Sequence, residues 1–386
     1  MKDRIPHLRT AALVGVLAAL VALTGAACGG SKKAASGTTT TAATAGGGAK
    51  ANLDGHRRVP TFVAPGPSFD AKAKAGGKTI FVIPASSQIP FVSTIANNMK
   101  RIGAMAGVNT TIWQNQGQPS QWVQGMNAAI AQKANAIVLL AGNDPAGLQP
   151  QIKAAKAKGI PTIVAHLYDD KQPSAPNVGG LVNIPYNLAG QLIADQAIVD
   201  TGGKANALVV TINQVKSTLP MVAGIKSEFA AHCARCKLKL TDVTIADVAT
   251  KIQPNVQGAL TADPSINYVI CIYDSAEVPF ASAAIRAAGR IGKVKISTFN
   301  GTPEILKEVK KGDIVTMDVA ENLEWIGYAI VDQSMRIMGG LPAVENARVP
   351  VRVFDASNID EAGPAFTAGW GSSYVGGYQK LWGLKK

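Results

Sequence analysis

From Lys78 onward, short β-branched runs alternate with longer segments of helical period. Thr79 to Ile83 reads as a strand, Pro90 to Ala106 as a helix, Thr110 to Trp113 as a strand and Pro119 to Gln132 as a helix. Ala136 to Leu140 follows as a strand, Pro145 to Lys158 as a helix and Thr162 to Ala165 as a strand. Gly159 ends one helix and Pro161 opens the next strand, the expected punctuation. A second series is read after Gly180: strand Leu181 to Ile184, helix Asn187 to Val199, strand Ala207 to Thr211, helix Leu219 to Ala231 and strand Lys237 to Thr244. It continues with helix Val248 to Ala262, strand Tyr268 to Ile272, helix Ala276 to Ala288 and strand Lys295 to Phe299. Such alternation implies right-handed βαβ units and parallel sheets covered by helices, an α/β fold. Two successive open sheets mean two lobes.

Ligands of such sheets bind beyond the carboxyl ends of the strands, so two facing lobes make a cleft. The loops to search are therefore Pro84 to Phe91, Ala141 to Asp144, His166 to Asp169, Asn213 to Met221, Tyr273 to Glu277 and Asn300 to Pro303. None carries a nucleotide fingerprint: the first strand is followed by PASSQIPF, with no GxGxxG and no Walker-type lysine. GRIGKV at Gly289 follows a helix and lacks the Ser/Thr of a phosphate loop, so it reads as a helix end. There is no HExxH, no clustered metal-ligand set and no Ser-His-Asp ordering on suitable turns. Neither catalysis nor a cofactor is expected.

The start of the chain sets the compartment. Lys2, Arg4 and Arg9 precede the apolar run Ala11 to Leu23 and the small residues Gly25, Ala26 and Ala27, the pattern of a secretory signal peptide over residues 1–27. The run is too short for a comfortable membrane span, and no later stretch approaches about 20 uninterrupted apolar residues. Cys28, in LTGAACGG, stands where a bacterial lipobox places its lipidated cysteine. Gly25 occupies the position that usually holds Leu, and Gly25 with Ala27 also suits an ordinary signal peptidase, so free secretion stays open. Residues 28–77 are read as a flexible tether, poor in large apolar residues and rich in Gly, Ser and Thr. Of the formal net charge of +13, the signal region contributes +2, the tether +5 and the body +6. A basic tether suits an anionic membrane or envelope polymer, and export argues against a nucleic-acid partner.

Cys233 and Cys236 form a CxxC, for which a local disulfide is the default in an oxidising compartment. Free thiols remain an alternative, and zinc would need more ligands than His232 can add. Cys271, inside YVICIY, reads as a buried strand residue.

The body resembles the ribose-type (type I) periplasmic sugar-binding proteins, the substrate-binding subunits of bacterial ABC importers. The resemblance covers Lys78 to Phe354 and is carried by KTIFVIPASSQIPF, ANAIVLLAGNDPAGLQPQIKAAKAKGIPTIV, YVICIYDSAEVPFASAAIRAAG, ISTFNGTPEILKEVKKGDI and ENLEWIGYAIVDQSMRIMGG. It implies two Rossmann-like lobes joined by a three-segment hinge near Val182 to Pro185, Val319 to Asn322 and Pro342 to Val349. The N-terminal lobe is then 78–183 plus 322–345 and the C-terminal lobe 184–321 plus 346–356, with the aromatic tail 357–386 packing on a lobe. It also implies a solute captured between the lobes, an ABC permease as partner, and an extracytoplasmic monomer held to the membrane by its lipid.

Sugar-binding members use an Asp-Arg pair after the fourth strand and another Arg in the second lobe to bind hydroxyls. At those positions this chain has His166 with Leu167, and Met221. The family's Asn, Asp and late Gln align with Tyr273, Asn300 and Glu321, while Phe91 is retained as an aromatic wall. The expected ligand contacts are Gln88, Phe91, Asn143, His166, Tyr186, Met221, Tyr273, Asn300 and Glu321. A site that has lost its hydroxyl partners should disfavour simple sugars. A ligand-sensing partner of a membrane receptor is the main alternative, and an enzyme on the same scaffold a remote one.

Overall fold

The computed structural model describes residues 47–385, so the signal-peptide reading, Cys28 and the first part of the tether lie outside it. Helices α1 (Gly47–His56) and α2 (Ala71–Ala75) lead into β1 (Thr79–Pro84), α3 (Pro90–Met105), β2 (Asn109–Ile112), α4 (Pro119–Ala131) and β3 (Ala136–Leu140). Then come α5 (Gln149–Ala157), β4 (Thr162–Ala165) and β5 (Gly180–Val182). The second lobe holds α6 (Tyr186–Asp200), β6 (Asn206–Thr211), α7 (Thr218–His232), β7 (Lys237–Asp242), α8 (Val248–Ala262), β8 (Tyr268–Cys271) and α9 (Asp274–Ala287). It continues with β9 (Lys295–Asn300), α10 (Pro303–Lys311) and β10 (Val315–Glu321). Last are α11 (Leu323–Met338), β11 (Val351–Asp355) and α12 (Ser373–Leu381).

The first sheet has the order β2-β1-β3-β4-β5 and the second β11-β10-β9-β8-β6-β7. All pairings are parallel except β10 with β11. Central strands such as β3 and β6 are buried along their whole length, which is why they read as continuous apolar runs rather than alternating ones. The strand read at the head of the second series lies on the first-lobe side of the boundary at residue 183: β5 pairs with β4 as the fifth strand of the first sheet, in register Val164 with Leu181. A short β-branched run signals a strand but not its partner.

The chain crosses between the lobes after β5, after β10 and between α11 and β11. Asn322 marks the middle crossing, where its side chain accepts from the backbone N–H groups of Glu324 (2.9 Å) and Trp325 (3.1 Å) and so starts α11. Gly312, in the left-handed conformation that spares glycine a Cβ clash, ends α10.

The expected flexible tether is corrected over residues 47–77, which are folded onto the body. Ala49 and Leu53 of α1 are fully buried against the second lobe, and Asn52 Nδ2 donates to Asp195 Oδ2 of α6 at 2.7 Å. Arg57 Nε donates to Asp355 Oδ2 at 2.7 Å, and Arg352 Nε to the Arg57 carbonyl at 2.9 Å. Phe62 then packs on Tyr378 (4.8 Å between centroids) and Trp325 (6.2 Å), and α2 lies on α11 of the first lobe. The C-terminal tail runs beside it: Trp325 stacks on Tyr374 at 4.6 Å, Tyr328 on Tyr378 at 5.1 Å, and Trp382 Nε1 donates to Asp332 Oδ1 at 2.7 Å. Residues 47–77 therefore strap across the two lobes, and the tail, expected on one, does so too, its Trp370 meeting Phe354 of β11 at 6.2 Å. Averaging composition over the tether hid Leu53, Phe62 and Phe69, whose partners lie in elements far along the chain.

Asp195 is fully buried under α1, and burial together with neighbouring Glu228 pushes its carboxyl up to about 8, against the opposing hydrogen bond from Asn52. An unfolded aspartate titrates near 3.9. The folded chain thus holds a proton the unfolded chain has lost, so this group's contribution is full below about pH 4 and disappears as pH rises through about 8. Asp195→Asn, which keeps an acceptor for Asn52, should raise the melting temperature at pH 8 and leave it nearly unchanged at pH 4. An equal loss at both pH values would contradict a proton held there.

Candidate functional site

Three non-glycine residues at the carboxyl ends of strands have positive φ: Ala141 (60°) after β3, His166 (56°) after β4 and Asn300 (131°) at the end of β9. Such backbone is costly for residues with a Cβ and persists where the surroundings over-determine it. At two of the three, the side chain enters one cluster. His166 Nε2 lies 3.0 and 3.1 Å from the two carboxylate oxygens of Glu321, the last residue of β10, and Asn300 Nδ2 donates to Glu321 Oε2 at 3.0 Å. The Tyr186 hydroxyl, on the first turn of α6, is 3.0 Å from His166 Nδ1. The geometry fits an Nε2–H donating to Glu321 and a hydroxyl donating to Nδ1.

The cluster joins the lobes, since His166 follows a strand of the first sheet and Glu321 and Asn300 end strands of the second. Phe91, at the start of α3, sits 5.0 Å from the His166 ring, and Tyr186 meets Phe299 edge-on at 5.8 Å. The Glu321 side chain has no solvent exposure. A buried carboxylate is tolerated only when paired, and His166 and Asn300 supply the pairing. Burial, reinforced by the nearby Glu321 charge, raises the Tyr186 hydroxyl well above its ordinary pKa, so it stays protonated and able to donate.

A second ring of contacts holds these groups. The Tyr273 hydroxyl lies 2.8 Å from Ser217 Oγ and 3.0 Å from Thr218 Oγ1, and burial raises its pKa. Asp274 Oδ2 accepts from Thr302 N at 2.6 Å and Asp318 Oδ1 from Gly301 N at 3.0 Å, fixing the loop behind Asn300. Burial raises both carboxyls, and Asp318 is raised further by the charge of Asp274, so the pair retains a proton above the ordinary carboxylate range. Asp169 Oδ1 accepts from Asn187 N at 2.7 Å, capping α6 from the other lobe. Lys216 and Asp144 pair at 3.2 Å between the loops after β6 and β3.

Of the expected contacts, Phe91, His166, Tyr186, Asn300 and Glu321 come together, and Tyr273 stands behind them. Gln88, Asn143 and Met221 stand outside this cluster. Met221 is fully buried in the core where α7 crosses α6, with its carbonyl against Gly190. Asn143 is 1% exposed and donates to the Pro84 carbonyl at 3.3 Å, tying the ends of β1 and β3. Gln88 is exposed and lines a separate cavity. Phe299, Ser217, Thr218, Asp318 and Asp169 were not singled out. Most of them lie in the strand-end loops already marked for function, but nothing local distinguishes them from cap and core residues.

Cys233 and Cys236 are disulfide-bonded at the end of α7, and Cys271 is a buried free thiol. Among the described residues, no group of three or more His, Cys, Asp or Glu side chains is arranged to hold a metal, and no helix is long and apolar enough to cross a membrane.

Residues 80–342 match the periplasmic binding protein domain family. The chain belongs to that family. This periplasmic binding protein also has the fold of solved type I solute-binding proteins of ABC transporters. One from Agrobacterium vitis with bound allitol is 21% identical, with TM-score 0.65 over 74% of this chain and 97% of that one. One from Mycobacterium smegmatis with bound glycerol is 18% identical, with TM-score 0.66 over 76% and 99%. One from Bacillus halodurans C-125 with bound myo-inositol is 18% identical, with TM-score 0.66 over 75% and 99%. A search of curated proteins gave no match.

Proposed function

We propose that this periplasmic binding protein is the extracytoplasmic capture subunit of an ABC importer, exported by its signal peptide and held at the membrane by a lipid on Cys28. It closes its lobes around a small solute and presents the closed form to a permease, as a monomer and without covalent chemistry. The observation that carries this reading is the His166–Glu321–Tyr186–Asn300 cluster, which draws one polar group from the first lobe and the rest from the second onto the crevice between strand ends. Closure and binding then share one two-state equilibrium.

The ligand class follows from the residues around the cluster. Phe91 and Tyr273, both half-buried, offer aromatic surface backed by the buried Tyr186 and Phe299, and the family's Asp-Arg pair is replaced by His166 and Leu167. Such a site favours a ring-bearing, weakly hydroxylated group in the cleft itself over a free sugar there. The polyols bound to the solved relatives belong to those proteins.

A thermal-shift screen tests this, because stabilisation grows with ligand concentration over dissociation constant. Aromatic or heterocyclic compounds should raise the melting temperature more than ribose, glucose or galactose. Strong stabilisation by a simple pentose or hexose would sink the ligand assignment.

A further inference from the structure

A solvent-open cavity of about 320 Å³ is lined by Ser87, Gln88, Gln114, Asn115, Gln116 and Gln121. It lies at the same carboxyl edge of the first sheet as His166, on the flank formed by β1 and β2. The loop after β1 connects the two places: Ser87 and Gln88 face the cavity, and Phe91, three residues on, packs against His166. The volume is at the small end of the range for small-molecule sites.

Every lining side chain is an amide or a hydroxyl, and none is charged. The frame is built by hydrogen bonds. Ser87 N donates to the Asn115 carbonyl at 3.0 Å, Asn115 N to Ser87 Oγ at 3.1 Å, Gly117 N to Asn115 Oδ1 at 2.8 Å and Gln116 N to Gln121 Oε1 at 2.9 Å. Below it, Trp113 Nε1 donates to the Gln121 carbonyl and Trp122 Nε1 to the Ala85 carbonyl, each at 2.9 Å. The polar groups of Ser87 and Asn115 are thereby used. The side-chain amides of Gln88, Gln114 and Gln116 and the Nε2 of Gln121 make no hydrogen bond among the described residues and remain able to bind.

We infer that this cavity is a second ligand subsite for a neutral, hydroxyl-bearing unit, so that the captured solute is a two-part molecule: a ring in the aromatic cleft joined to a glycosyl-like group among the glutamines. The inference rests on the cleft reading above. An amide carries two donors and an acceptor, matching hydroxyls that both give and take. An anionic group would find no countercharge here. An apolar one would strip water from the free amides without replacing it.

The test uses the folded chain with ¹⁵N-labelled glutamine side chains, titrated separately with phenyl β-glucoside and methyl β-glucoside. Both should shift the amide signals of Gln88, Gln114 and Gln116 saturably, with phenyl glucoside the tighter. Gln88→Ala combined with Gln114→Ala should weaken phenyl glucoside by about ten-fold, the effect of one or two lost hydrogen bonds. Because both side chains are exposed, the melting temperature of the unliganded variant should be unchanged. Glutamine signals unmoved by either glycoside, or a phenyl glucoside affinity indifferent to the double variant, overturns the subsite. Failure of the cleft reading looks different: glutamine signals respond equally to both glycosides while the His166 ring signals stay still, which supports the subsite and removes the ring from the cleft.

Discussion

Replacing His166 by leucine should cost the closed form about 1–3 kcal/mol, the usual penalty for leaving a buried polar group short of a hydrogen-bond partner. Glu321 would keep only the Asn300 amide, with its carboxylate out of contact with water. A two-lobed protein has an escape that a single-lobed one lacks: it can open and hydrate the carboxylate. The loss should therefore appear first as a larger radius of gyration in solution scattering and a large fall in affinity for whichever solute the thermal screen identifies. Global unfolding by urea should move less. Adding Glu321→Gln to the leucine variant should restore much of the closed population, because a neutral amide is far cheaper to bury than an unpaired carboxylate. If the double variant is as open as the single one, the His166–Glu321 pair is not what holds the lobes.

Trp382→Ala should destabilise the whole protein by about 3–5 kcal/mol, as for other buried aromatic truncations. Trp382 is fully buried near the end of the tail, packed on Tyr328 (5.6 Å) and Tyr378 (5.5 Å), and its indole N–H bonds Asp332. Asp332 would still be held by Arg336 Nε at 2.8 Å, so the loss is mainly the cavity. Trp382→Phe keeps most of the ring volume and should cost only about 1–3 kcal/mol, the loss of a buried hydrogen-bond partner. Urea denaturation monitored by circular dichroism separates the two. A midpoint unchanged in Trp382→Ala would mean that the tail is an appendage and not part of the fold.

These two predictions fall on different sides of what could be read locally. His166, Phe91 and Glu321 could be found because each stands at a strand end or at an aligned cleft position in an alternating α/β pattern. Met221 and Asn143 satisfied the same criteria but stand outside the cluster, Met221 in the core and Asn143 tied to the Pro84 carbonyl. Being near the end of a strand says where the backbone goes, not which way a side chain turns or what already bonds it. Gln88 stands away from the cluster, in a cavity that also needs Gln114 from the loop after β2 and Gln121 from α4.

The amino-acid sequence by itself determined the alternation of strands and helices, the division into two lobes and the crevice at their strand ends. Those follow from hydrophobic period and turn residues, which act within a few neighbours along the chain. The tertiary structure alone decided that residues 47–77 and the aromatic tail strap the lobes together, and that His166 meets Glu321. Each of these is a contact between segments far apart in the chain, set by which apolar and polar surfaces fit, and no local periodicity carries that information.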